Sequence, residues 1–333
     1  MYKVRREMKA VIGIDVSKAK IDYAWLRDTQ TLKLKSKVLP NTADGHQALL
    51  QWAEKNTGHD LQDIRFICEA TGVYHEALAY ALHAGGADVV VMNPAHVREY
   101  AKSLGSLTKT DKKDSLVLAR YGATQICRPW QPEPAEVRQL KALLSRLDAL
   151  EQDLQRENNR LEKATVQSAS PKVIDSIEAM ITHIQAEIER LKRELDDHID
   201  GHPQLRNDSK LLQSIPGVGD AVSRQMLAVY HSRCFQKATQ IAAYLGLTPV
   251  EYQSGSSVRA PSRISKAGSS NIRRKLYMPS MVAARHNPQA KALYERLVQK
   301  GKSKKAALCA VMRKLVHQCF GVLKHQQAYC PTA

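Results

Sequence analysis

Between Glu136 and about Asp200, leucine and isoleucine recur at heptad spacing through a charged background, and that period dictates the layout of the chain. Leu140, Leu143, Leu147, Leu150, Leu154 and Leu161 keep the heptad, with one polar slot at Glu157. After a break at SASPK, Ile177, Ile181, Ile184, Ile188, Leu191 and Leu195 resume it. Only long helices with an apolar seam satisfy such a pattern, so a helical hairpin or coiled coil is predicted here. Each arm holds only a few heptads, which leaves intramolecular pairing and dimerisation both open. The acids at 151–157 and 187–197 make these arms a poor surface for a polyanion. The helical stretch divides the 333 residues into three predicted parts: 1–130, 131–205 and 206–333.

The first part alternates between apolar strands and amphipathic helices. KAVIGIDV reads as a buried strand, IDYAWLRD as a second, and TLKLKSKVLP, with strict period two, as a third. Asn41 and Thr42 offer caps for a helix reaching about Lys55. DIRFICEA is then a strand, VYHEALAYALHAGG a helix ending at glycines, and ADVVVMNP another strand. AKSLGSLTKT is predicted as a lysine-dotted loop leading to a helix that opens at Asp111. Three strands followed by alternating helices and strands imply a mixed α/β sheet. The third part, from about Leu211, is predicted to be mainly helical.

Charge points to the partner. The chain has 50 Lys+Arg against 33 Asp+Glu, a formal net charge of +17. From Ser254 to Ala333 there are 16 lysines and arginines against a single acid, Glu295. A basic field confined to one region is the footprint of a phosphate-rich ligand. An anionic membrane would ask for Trp or Phe on an apolar helix face, yet Phe320 is alone after residue 253. No run of 18 apolar residues suggests a membrane span. The apolar run in MYKVRREMKAVIGID is too short for a signal peptide. Six cysteines without CxxC spacing read as reduced cytoplasmic thiols, neither a disulfide frame nor a zinc site.

Four carboxylates form the first candidate site. Asp15 ends the first strand and Glu69 ends a later one, in ICEATG. Asp111 and Asp114 lie three apart in TDKKDSLVLAR and so share one helix face. Acids from two strand ends and one helix that converged at a sheet edge would repel each other unless a cation sat between them. Hard divalent ions such as Mg²⁺ (or Mn²⁺) take carboxylate oxygens, and a pair of them suits a phosphodiester. Taken singly, each acid is more often structural than catalytic: an Asp after a strand is commonly a turn residue, and Asp111 is well placed as a helix N-cap.

Two further stretches suit phosphate. In LLQSIPGVGDAVSRQMLAV, Pro216, Gly217 and Gly219 make a tight turn before a helix whose opening amides and dipole favour an anion. It resembles a helix-hairpin-helix motif; the plain alternative is an αα-corner that needs glycine for positive φ. YQSGSSVRAPSRISKAG offers Ser254, Ser256, Ser257, Ser262 and Ser265 beside Arg259, Arg263 and Lys266. The following helix opens with Arg273, Arg274 and Lys275. Arginine can clamp a phosphate with paired donors, and a serine held there could attack phosphorus if activated. Spacing alone favours passive phosphate binding and singles out no serine.

GIDVSK, EATGVY, NPAHV, TDKKDSLVLA, SIPGVG, GLTP and SGSSVRAPSRISKAGSSNIRRKLYMPSMVA together resemble one family along the whole chain. It is the insertion-sequence one-hundred-and-ten family of DEDD transposases, the bridge-RNA-guided recombinases. The resemblance implies a ribonuclease-H or resolvase-like domain, a coiled-coil region and a C-terminal transposase domain. It implies that Asp15, Glu69, Asp111 and Asp114 bind Mg²⁺ or Mn²⁺, and that Ser254 is the nucleophile. It also implies double-stranded DNA and a structured guide RNA as partners, a homo-oligomer (dimer or tetramer), and a place in the prokaryotic cytoplasm. Ser115 departs from the family, which usually has Ala after the second Asp.

Two other readings of the same residues stand beside this one. A resolvase-type metal nuclease would hydrolyse DNA with water and use the basic region for grip. A non-catalytic nucleic-acid-binding protein would use the acids structurally.

Overall fold

The computed structural model describes residues 8–28, 31, 33–70, 72–105, 111–254 and 258–331, with backbone alone at 111, 112, 252–254 and 258–261. The chain divides into two compact units, Met1–Pro132 and Glu133–Ala333.

The first unit is built on five strands: β1 (Ala10–Val16), β2 (Lys20–Leu26), β3 (Leu34–Pro40), β4 (Ile64–Glu69) and β5 (Asp88–Met92). Their order is β3-β2-β1-β4-β5. β1 pairs antiparallel with β2, and β2 with β3, while β1, β4 and β5 run parallel. The mixed sheet expected from the sequence is therefore present. Its centre is apolar on both faces, as strands covered on both sides must be. Ala10, Ile12, Ile14 and Val16 of β1 join a core with Leu49, Leu50, Leu78 and Leu82. Val11 faces the other way, into a cluster with Ile67, Val90, Val97 and Leu118. β3 is an edge strand exposed from Lys35 to Val38, so the period two of its sequence does not appear as alternating burial.

Helices cover the two faces. α1 (Ala43–Thr57) opens at Thr42, whose hydroxyl accepts from the Gly45 N–H at 3.3 Å, and stops at Gly58 with φ +71°. α2 (Glu76–Ala84) follows β4. α3 (Pro94–Ser103) corrects the sequence reading, which placed Ala101–Ser103 in a loop. Its start is encoded by Asn-Pro: the Asn93 side chain accepts from the Ala95 N–H at 2.9 Å, and Pro94 occupies the first turn, where no N–H is needed. Residues 106–110 of that expected loop lie outside the described residues. α4 (Asp111–Thr124) opens at Asp111, as the sequence implies.

The second unit is helical apart from one hairpin. α5 (Ala135–Val166) and α6 (Pro171–Asp200) are the two heptad arms, and they fold back on each other within one chain. The seam buries Leu140, Leu144, Leu147 and Leu150 against Ile184, Ile188, Leu191 and Leu195. Leu144 takes the central place that the heptad count gave to Leu143, which packs at the side with Leu154. Each fully buried Leu or Ile contributes roughly 1.5–3 kcal/mol, so the seam dominates over helix propensity. α7 (Pro203–Gln213), α8 (Asp220–His231), α9 (Ala238–Tyr244), α10 (Ser270–His286), α11 (Pro288–Gln299) and α12 (Lys304–His325) complete the unit. α12 is long and apolar enough to cross a membrane by composition, but Val311, Leu315, Val316, Cys319 and Leu323 spend that apolarity in this core.

The polar serine stretch does not run as an open loop. β6 (Pro249–Ser254) and β7 (Val258–Ile264) pair antiparallel, with a bulge between Val250 and Tyr252. Glycine and proline, both depleted in strands, punctuate this stretch and hide the pairing from a sequence reading. A two-stranded ribbon is all edge, which is where Pro261 is tolerated.

Candidate active site at the strand ends

The parallel register of β1 and β4 runs from Ala10↔Ile64 to Ile14↔Cys68. One position further along each strand stand Asp15 and Glu69. They are therefore neighbours at the carboxyl ends of adjacent parallel strands, on the face that carries Val11, Gly13 and Ile67. Both are half-buried.

α4 is laid over that face by two glycines. A Cβ built on Gly13 would meet the Ser115 carbonyl oxygen at 2.0 Å and the Ala119 nitrogen at 2.5 Å. At the other end, a Cβ on Gly122 would lie 2.9 Å from Val11 Cγ1 and 3.2 Å from Ile67 Cγ2. The helix thus runs against the strand direction, and its first turn reaches the end of the sheet where Asp15 and Glu69 stand. Asp114, half-buried, is in that turn; the Asp111 side chain lies outside the described residues. Ser115 is buried, with its main chain against Gly13. Arg65 anchors the far end through Asp88 (Nε to Oδ2, 2.6 Å) and the Gly122 carbonyl at 3.4 Å.

The sequence reading missed a fifth carboxylate. Asp22 pairs directly across from Asp15 in the β1–β2 ladder, so the two share a face, and Lys20 lies 3.0 Å from Asp22. The register of the hairpin was the signal that could have found it. Cys68, next to Glu69, points into the opposite core. Burial, then the charge of Glu69, pushes its thiol up to about 12, so it stays a protonated apolar group.

The remaining candidates lie in the second unit. Ser254 closes β6 opposite Val258, with its side chain, like that of Arg259, outside the described residues. Ser256 and Ser257 are also outside them. Ser262, Arg263 and Lys266 are exposed and Ser265 is half-buried. Arg273 is already engaged: its Nη1 donates to the carbonyls of Leu245 (3.1 Å) and Gly268 (2.6 Å). Arg274 donates to Asn271, and Lys275 pairs with Asp148 and Glu151 of α5.

The glycine turn joins α7 to α8. Gly217 has φ +98° and touches Ala283, where a Cβ would come within 2.9 Å of that methyl. Buried Asn287 donates to the Pro216 carbonyl (3.4 Å) and the Gln318 side-chain oxygen (3.1 Å), and the Tyr329 hydroxyl donates back to it at 3.1 Å. Gly219 caps α8 without a side chain, but Asp220 follows in the first turn and accepts from Gln213 at 2.8 Å. That acid opposes an anion at this helix end.

Two transposase family models match this chain in succession: the DEDD transposase model of the IS110 group over residues 12–171, and the model described as "Transposase IS116/IS110/IS902 family" over residues 209–295. The pilin gene-inverting protein of Moraxella bovis is 31% identical over 323 residues, covering 96% of this chain and 98% of that protein. The Moraxella lacunata counterpart is 31% identical over the same span. The chain belongs to the IS110 family of transposases. A 43.6 kDa protein of insertion element IS110 from Streptomyces coelicolor is 24% identical over 158 residues, which is 47% of this chain and 38% of that protein. Among solved structures, Thermus thermophilus RuvC aligns with 36% of this chain and 99% of its own, at 13% identity and a TM-score of 0.27.

As an IS110-family transposase, the chain is a DNA-modifying enzyme of the recombinase class. A divalent cation fits its acid face by donor chemistry: Asp15, Glu69 and Asp114 offer hard oxygens only, and the adjoining thiol, Cys68, is turned into the opposite core. Among the described residues, no three such groups already stand as a metal-holding set.

Proposed function

We propose that this transposase cuts and rejoins donor and target DNA by transesterification through Ser254, with Asp15, Glu69, Asp111 and Asp114 holding Mg²⁺ or Mn²⁺. The observation that carries the reading is the convergence of Asp15, Glu69 and the first turn of α4 at one end of the sheet. The strand order β3-β2-β1-β4-β5, antiparallel then parallel, supports a ribonuclease-H-like domain around that site. Bound there, the ion supplies charge neutralisation at the scissile phosphate. Ser254 Oγ forms a bond to phosphorus as the bond to the 3′ oxygen breaks, and the serine proton ends on that oxygen. The phosphoserine link conserves the bond energy, so a hydroxyl from another strand reverses the step at little cost. The exposed cations of the basic unit, Arg263 and Lys266 among them, grip backbone phosphates.

The guide RNA and the assembly as a dimer or tetramer rest on the family resemblance. The apolar seam of the heptad arms is closed within one chain, so a subunit contact there would use their outer faces, and the basic stretch 254–333 is the candidate RNA surface. Mass spectrometry of a denatured protein–DNA adduct tests the chemistry: attachment at Ser254 is expected. Recombination by Ser254→Ala at the wild-type rate would remove the serine from the mechanism.

A further inference from the structure

We propose that Asn41 is a positioning residue that ties together the two backbone segments following Asp15 and Glu69, and that His46 aims it. The inference rests on the acid site proposed above and names a device that holds it in shape.

Asn41 sits between β3 and α1 and makes four polar contacts. Its main-chain N–H donates to the Ala19 carbonyl at 3.0 Å. Its side-chain NH₂ donates to two carbonyls, Ser17 at 2.9 Å and Tyr74 at 3.1 Å. Its Oδ1 lies 2.7 Å from His46 Nε2. Ser17 is two residues past Asp15, in the β1–β2 turn that its hydroxyl closes onto the Lys20 carbonyl at 2.8 Å. Tyr74 lies between β4 and α2, in the segment that leaves Glu69. One carboxamide therefore bridges the exits of the two strands that carry neighbouring carboxylates.

The donors fix the protonation pattern. A peptide carbonyl only accepts, so the NH₂ of Asn41 must face Ser17 and Tyr74, and its oxygen must face His46. His46 Nε2 must then carry the hydrogen. His46 is 4% exposed, and burial lowers its pKa below the ordinary imidazole value. It is a buried donor on α1 that faces the Asn41 oxygen. Two like charges on adjacent strand ends push the exits apart when no cation is present. The bridge opposes that drift and keeps the acids spaced for a cation before it arrives.

The test uses the full chain and Mn²⁺ as probe, read by electron paramagnetic resonance of free Mn²⁺, with thermal unfolding and segment-resolved amide hydrogen exchange alongside. In Asn41→Ala the Mn²⁺ affinity that depends on Asp15 falls about 10-fold. Exchange accelerates around residues 17–20 and 72–75 together, while Tm moves little. His46→Leu, which leaves Asn41 in place but unaimed, gives the same pattern, and serves if Asn41→Ala does not fold. His46→Gln restores a donor and recovers most of the affinity. Wild-type Mn²⁺ affinity in Asn41→Ala and His46→Leu, beside loss in Asp15→Asn, would overturn the positioning role and leave the acid site standing. A Mn²⁺ affinity that Asp15→Asn does not change would overturn the acid site and this inference with it.

Discussion

Gly13 of β1 lies under the main chain of Ser115 so closely that a methyl group there would come to 2.0 Å from the Ser115 carbonyl oxygen. The contact is backbone on backbone, so no side-chain rotation relieves it. It seats the first turn of α4 over the strand end that carries Asp15. Gly13→Ala is expected to lift α4 and to cost roughly 3 kcal/mol, the upper end for overpacking. Chemical denaturation of the full chain should show a lower midpoint for the transition of the first unit. An unchanged midpoint would mean that the helix shifts freely and that its seat is not fixed by this glycine.

Removing charge without removing shape separates fold from chemistry at the acid face. Asp15→Asn, Glu69→Gln, Asp111→Asn and Asp114→Asn are each expected to keep the wild-type Tm and lose strand cleavage by more than roughly 100-fold, since a lost first ligand should cost at least what a lost supporting group does. Gel assays with Mg²⁺ on a cleavable duplex read this directly. Full activity in any one variant takes that residue out of the site.

The acids and the fold were legible to different degrees. Asp15 and Glu69 could be placed because β1 and β4 are continuous apolar runs, and parallel neighbours put their ends together. Asp22 was invisible because cross-strand register is set by the turn at Ser17–Lys20, which composition does not encode. α3 escaped because its apolar stripe is thin, with Val97 the one buried residue among its described positions. The β6–β7 ribbon escaped because Gly255 and Pro261 interrupt its short sequence, and both residue types are depleted in strands. Arg273 and Lys275 looked like phosphate ligands by charge; their partners, the Leu245 carbonyl and Asp148, are 28 and 127 residues away in sequence.

Asp208 gives the second unit an acid limb. Its carboxylate has no exposed surface and accepts from His231 Nε2 (2.8 Å), Gln326 (2.9 Å) and Gln204 (3.2 Å). Burial alone would raise its pKa, but these donors outweigh it and leave it below the ordinary aspartate value. A depressed folded pKa contributes stability above the unfolded value of about 4 and loses it as pH falls through the folded value. Asp208→Asn is expected to cost about 3 kcal/mol at pH 7 and to flatten the decline in stability as pH falls below about 4. Denaturation midpoints measured across that range check both effects.

Two arginines near the hairpin should answer differently to the same substitution. Arg263 is exposed on β7, and it is proposed to meet a DNA or RNA phosphate. Arg273 spends its guanidinium on the carbonyls of Leu245 and Gly268, beside Gly246 at φ +70°. Each phosphate contact releases close to one counterion, so Arg263→Ala should reduce the log–log salt slope of duplex binding by about one unit while Tm holds. Arg273→Ala should leave the slope unchanged. It strands two carbonyls and should lower stability by about 1–3 kcal/mol. Fluorescence anisotropy at several salt concentrations, paired with thermal unfolding of the same variants, reads both quantities. A slope that falls in Arg273→Ala with Tm intact would return that arginine to the phosphate-binding surface.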